Sequence, residues 1–190
     1  MPRASRAEAA QHREEIVAES SRLFRERGLA GVSVADVTGA IGLTHGGFYK
    51  HFASKEALAA EASAEAFRQS VELGDAIAAR YEDKAEQWRA VLDAYFSVEH
   101  RDVSADGCPA TALAADAARE PVASPIHAAY VAGLESYIDF FQRIAPGEAT
   151  REDAIVRYAA MVGALTLARA THGEPLSDEI FQAVRKSLEL

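Results

Sequence analysis

Only one of the 190 residues is a cysteine, Cys108, and only one is a tryptophan, Trp88. A lone cysteine leaves no intramolecular disulfide and fits a reducing compartment. No apolar run reaches the length of a membrane span, and the opening MPRASRAEAAQHREE holds no apolar stretch of the signal-peptide kind. The expectation is a cytoplasmic protein with no membrane partner. The histidines, His12, His45, His51, His100, His127 and His172, are scattered, with no pair at metal-ligand spacing. Phosphate-cradling glycine loops, a nucleophile elbow and strand-rich segments are missing as well. These absences point away from an enzyme, a metal centre and a cofactor.

What is present is ordinary globular material, 49% hydrophobic and 26% charged, with a formal net charge of −9. That charge is uneven. Residues 1–55 carry eight Lys or Arg against six acids, a net of +2, and the rest carries −11. An acidic body with a mildly basic tip can meet phosphates through the tip while being repelled elsewhere. Arg3 and Arg6 form an N-terminal arm that reads either as solvated or as able to touch phosphates or a minor groove.

Ser33 to Leu58 is the most informative stretch. Ser33 and Asp36 have capping-box spacing, and Val34, Val37 and Ile41 follow on one helical face. Gly42 then supplies a turn, Leu43 returns to the core, and Thr44 caps a second helix to about Lys50. A helix that short needs packing, here through Phe48. Ser54 caps a third helix beginning at Lys55. His45-Gly46-Gly47 is a costly helix start, since each glycine costs about 1 kcal/mol against alanine. It makes sense where a backbone must approach another surface closely, as in a DNA-reading helix-turn-helix. It is equally compatible with a helical hairpin whose Gly46-Gly47 is a loop.

The segment LTHGGFYKHFASKEAL resembles the signature of TetR-family transcriptional regulators, with Tyr49, His51, Phe52, Ser54, Lys55 and Leu58 in the matching places. The resemblance covers roughly residues 10–60. His45 and Phe48 depart from the usual residue types, which bears on the DNA sequence read. The resemblance implies an all-α homodimer and a regulator of transcription, most often a repressor released from a palindromic double-stranded DNA operator by a small-molecule effector. Residues 1–53 would form a three-helix DNA-binding domain and residues 54–190 a larger helical effector-binding and dimerisation domain. Thr44, His45, Gly46 and Gly47 would face base edges, while Ser33, Tyr49, Lys50, His51 and Lys55 would hold phosphates.

Further helices are expected over Arg6–Arg27, Ser54–Ala79, Asp83–Glu99 and Ala110–Ala118, over a segment around Ile126–Ile144, over Arg151–Thr171, and from Ser177 as a cap. Leu58, Ala62, Ala66, Ser70, Leu73 and Ile77 form the expected stripe of the long connecting helix. Trp88, Tyr95, Phe96, Cys108, Tyr130 and Tyr137 are candidates for an effector pocket, with core packing as the alternative for each. Cys108, before Pro109 at a helix start, reads either as a small half-buried residue or as a redox or electrophile sensor. Tyr158, Met161, Leu165, Ala168, Phe181, Val184 and Leu188 are candidates for a self-associating surface, because the last two helices have surplus apolar faces.

Overall fold

Most helices begin where a short polar side chain can satisfy the free backbone N–H groups of a first turn. A computed structural model describes residues 6–189, with side chains from Ala10 onward. Arg3 of the expected arm and the side chain of Arg6 lie outside the described residues. Among the described residues the secondary structure is entirely helical. α1 (Arg6–Arg27) ends at Gly28, whose φ of +71° suits only glycine without strain. Ser33 and Asp36 form the expected capping box on α2 (Val34–Ala40). Leu43 N–H then donates to Thr38 C=O and Gly42 N–H to Gly39 C=O, with Gly42 at φ +69°. This is a Schellman turn, and it sets the angle at which α3 leaves α2.

α3 (His45–Phe48) is shorter than the expected Thr44–Lys50. Thr44 caps it through Gly47 N–H, and Lys50, His51 and Phe52 continue as turns. Ser54 caps α4 (Lys55–Ala78) as expected. The helix expected over Asp83–Glu99 is broken: α5 (Lys84–Tyr95) stops at Phe96, and Ser97 caps a separate short α6 (Val98–Asp102). α7 (Pro109–Ala117), α8 (Pro125–Ile144) and α9 (Arg151–Ala170) follow, the last with its Thr150–Asp153 capping box. α10 (Pro175–Ser187) begins with Pro175 and not at Ser177. Ser177 is buried, and its hydroxyl donates to Ala168 C=O at 2.7 Å, tying α10 to α9.

Two clusters of apolar side chains organise these helices. The first joins Ile16, Phe24, Val37, Phe48, Phe52 and Leu58 of the N-terminal helices with Leu113 of α7 and Ile126 of α8. The second fills the space between α4, α5, α7, α8, α9 and α10. α4 serves both, through Leu58, Ala59 and Ala62 at one end and Phe67 and Ala78 further along. Its expected stripe drifts off the core at Leu73, which is exposed. Steps of four residues advance about 40° beyond a full turn each time, so the buried line passes instead through Phe67 and Gly74.

α4 and α8 interlock through two reciprocal contacts. The Phe67 ring of α4 lies where a side chain on Gly133 would stand, and the Phe140 ring of α8 lies where one on Gly74 would stand. A β-carbon at Gly133 would be 2.2 Å from Phe67 Cγ, and one at Gly74 would be 2.5 Å from Phe140 Cζ. Gly133→Ala should therefore cost about 2 kcal/mol through overpacking, a fall of roughly 4–8 °C in Tm for a chain of this size. An unchanged thermal transition would refute this account of the interlock.

Candidate nucleic-acid interface

Phe48 fixes the short α3. Its side chain is fully buried, packs on Phe52 at 5.7 Å between ring centroids, and carries Tyr49 edge-on at 5.1 Å. Burying one aromatic ring holds in place a helix of four residues that could not persist alone. Everything opposite Phe48 is thereby turned outward. Thr44, His45, Gly46, Tyr49 and Lys50 are exposed, Tyr49 at 54%, and His45 stands 5.3 Å from the Tyr49 ring. Gly47 and His51 are half-buried. Gly46 has no atom within 4 Å of where a β-carbon would sit, so the chain's own packing does not require glycine there.

The expected phosphate contacts divide. Ser33 is exposed at the start of α2, but its hydroxyl is committed to the capping box, both bonding the Asp36 carboxylate and accepting Asp36 N–H. The bonds its carboxylate accepts from the Ser33 hydroxyl and from Ser33 N–H hold the Asp36 carboxyl below the usual carboxylate range. Lys55 turns inward: its ammonium donates to the Leu29 carbonyl at 2.6 Å and is half-buried. The signal for this was in the sequence, since Gly28-Leu29 leaves a free carbonyl at the end of α1, but pairing it with Lys55 needs the fold. Tyr49 and Lys50 remain the outward donors beside α3.

Of the candidate pocket residues, two meet at one cavity. It measures about 80 Å³ and is lined by Tyr95 and Tyr137 together with Leu73, Ile77, Val91, His100 and Phe140. The Tyr95 hydroxyl is buried with no hydrogen-bond partner among the described residues, and burial pushes its pKa well above the ordinary phenol value. His100 Nδ1 lies 2.6 Å from Tyr95 C=O, and burial lowers the imidazole pKa, which favours a neutral ring donating to that carbonyl. The other candidates have structural posts. Trp88 Nε1 donates to Leu188 C=O at 2.8 Å, Phe96 packs edge-on against Phe181, and Tyr130 donates to Ala110 C=O at 3.0 Å. Burial raises the Tyr130 phenol to about 12. Cys108 is 1% exposed, with its Sγ 3.5 Å from the Tyr158 hydroxyl.

The candidate self-associating residues are corrected by the packing. Tyr158, Met161, Leu165, Ala168, Phe181 and Leu188 are buried in the chain's own second core, and Val184 packs against it. The six buried side chains have no surface left to offer, and Val184 keeps part of its own. The opposite side of α9 is open instead. Val156 is 67% and Leu167 56% exposed, and Ala159 and Ala170 lie on the same face with the half-buried Gly163. The signal was the surplus of apolar residues around α9; which half faced inward depended on α8 and α10.

No helix among the described residues is long and apolar enough to cross a membrane. Residues 16–62 match the family model described as bacterial regulatory proteins, tetR family. The HTH-type transcriptional repressor DhaR of Mycobacterium sp. (strain GP1) is 32% identical over 96 residues, 50% of this chain and 47% of that protein. The chain thus spans about half the length of this curated relative. The TetR-family regulator from Cytophaga hutchinsonii superposes with a TM-score of 0.79 at 21% identity, covering 98% of this chain and 96% of that one. A TetR regulator from Chloroflexus aurantiacus J-10-FL gives 0.78 at 25% identity, over 96% and 94%. The reduced form of Escherichia coli NemR gives 0.79 at 18%, over 94% and 95%. The helix-turn-helix is thus matched by sequence to the tetR family of bacterial regulatory proteins, and the helical body shares the fold of TetR-family regulators.

Proposed function

We propose that the chain is a homodimeric repressor that reads a palindromic operator and is released from it by a small molecule. The observation that carries the reading is Gly46: an exposed glycine, costly in a helix and unneeded by any neighbour, on a face held outward by Phe48. Glycine there lets the backbone approach base edges, with Thr44, His45 and Gly47 beside it. Tyr49, Lys50 and His51 would hold phosphates, with Ser33 and Lys55 contributing only if their internal bonds open. Residues 1–53 read DNA and residues 54–190 bind effector and partner. This division is one of labour, since Leu58 of α4 packs in the reading head's core.

Fragment selection from the source genome with purified protein should recover a palindrome whose half-sites lie about one helical turn apart. Gly46→Ala should then lower affinity for that operator tenfold or more while leaving Tm unchanged or slightly raised. Recovery of no common sequence would defeat the reading, and an Ala variant that binds normally would remove Gly46 from it.

The occupant of the open α9 face is a second copy of this chain. Val156, Ala159, Gly163, Leu167 and Ala170 recur at helical spacing, and Gly163 has nothing within 4 Å of an added β-carbon. Small residues between two larger apolar ones permit close helix contact. Leu167→Glu should shift the protein from dimer to monomer in sedimentation velocity, with its helical content intact. A dimer that survives this change has another interface.

The effector site is the cavity beside Tyr95 and Tyr137, apolar with few polar groups and one hydroxyl awaiting a partner. Release requires that the ligand bind better to a head spacing that does not fit the operator. The alternative at Cys108 has a buried thiol that an oxidant reaches only if α7 moves. Cys108→Ser should keep its response to the small-molecule inducer of the recovered operator; loss of that response would favour the thiol.

A further inference from the structure

The peptide of Leu29 is gripped from both sides by charged side chains of different elements. Its N–H donates to Asp116 Oδ2 of α7 at 3.0 Å, and its C=O accepts from the Lys55 ammonium of α4 at 2.6 Å. Gly28 permits this. Its φ is +71°, and a β-carbon there would crowd Asp116 Oδ2 at 3.2 Å. Arg119, one turn on from Asp116, lies 3.5 Å from its other carboxylate oxygen.

The loop that leads into α7 is in turn tied to α1. The Arg25 guanidinium, 5% exposed, donates to the carbonyl of Gly107, which lines the cavity beside Tyr95. Between the two ties Leu113 is buried in the reading head's core. A helix of nine residues thus bridges the cavity wall and the loop that leads into α2.

We infer that Asp116 is a positioning residue that locks the reading head to the body through the Leu29 peptide and so fixes the half-site spacing the dimer accepts. The inference rests on the reading of the chain as a dimeric operator binder. Without the lock, the head keeps α4, the apolar contacts and the ties of α1 through Arg22 and Arg25, but the loop that leads into α2 is released from α7, and the head can tilt. A tilting head follows a half-site displaced along and around the duplex. Adding one base pair to the spacer moves a half-site by about 3.4 Å and about a tenth of a turn.

The test uses the full chain and spacer variants of the selected operator, one base pair shorter and longer. Unaltered protein should lose tenfold or more in affinity on either variant. Asp116→Ala should lose less than threefold, with its affinity for the best spacer reduced only slightly. Asp116→Asn keeps an oxygen acceptor and should restore most of the discrimination. Hydrogen exchange supplies a readout independent of DNA: the Leu29 amide should be protected in the unaltered protein and in Asp116→Asn, and should exchange at least tenfold faster in Asp116→Ala. A variant that no longer folds would show faster exchange throughout α4 and α8, and Asp116→Leu, close in size to Asn but without an acceptor, then decides by the same two readouts against Asp116→Asn.

A sharp spacer preference that persists in Asp116→Ala overturns the inference, as does an unprotected Leu29 amide in the unaltered protein. If selection recovers no operator, the functional reading falls and the spacing role falls with it. If an operator is recovered but unaltered protein tolerates every spacer, only this inference fails.

Discussion

The exchange of phenylalanine for glycine between α4 and α8 sets the distance on which the remaining packing depends. Phe67 fills the place of a side chain at Gly133, and Phe140 does the same at Gly74. Each ring is nearly or fully buried, so the contacts combine large apolar burial with a steric limit on sliding. Because the two contacts lie at different heights along the same pair of helices, they fix register as well as separation. α4 is then a rigid member of the body. Since its first turn also packs Leu58 into the N-terminal core, the reading head inherits its position from that interlock.

The polar ties complete what the apolar packing begins. Arg25 is taken from water without a carboxylate in hydrogen-bond contact; it donates to the carbonyls of Ser21 and Gly107 and to Gln69, and burial lowers its pKa. Arg169 does the corresponding work from α9, donating to the carbonyls of His100 and Arg101, with the Gly107 backbone close against it. Gly107 therefore sits between two guanidiniums from opposite ends of the sequence. Buried donors of this kind are strongly directional, because a lost bond leaves a desolvated charge. A cavity wall held this way moves only together with α1 and α9.

Local signals in the sequence carried the reading wherever a short side chain answers its own backbone. Ser33 with Asp36, Gly42 in its turn, Thr44, Ser54 and Thr150 with Asp153 all stand as their spacing indicated. What the sequence left open is which of two apolar faces points inward, because that depends on partners distant in the chain. α9 is apolar nearly all round, and Tyr158 and Leu165 read as surplus surface until α8 is seen to cover them. Lys55 is a similar case. A cation at a helix start reads as an anion site, and only the proximity of the Leu29 carbonyl shows that it is already engaged. Ser97 went unread as a cap because the apolar spacing of α5 runs on past it.

The engagement of those cations shapes the electrostatics of the head. Arg13 pairs with Glu61 at 2.6 Å and lies over the Phe52 ring, Arg22 faces Asp106 at 3.5 Å, and Arg27 faces Glu26. Exposed pairs of this kind are weak and can exchange a carboxylate for a phosphate. Arg25 and Lys55 cannot do so without breaking bonds that hold α7 and the Leu29 loop. Among the described side chains, Lys50 is then the cation beside α3 that is free of such duties. The described part of this surface, with so few free charges, would release few counterions on meeting DNA. On the proposed reading, discrimination rests on hydrogen-bonding side chains and close backbone approach, and α3 with its flanks carries a threonine hydroxyl, an imidazole, a phenol and two glycines.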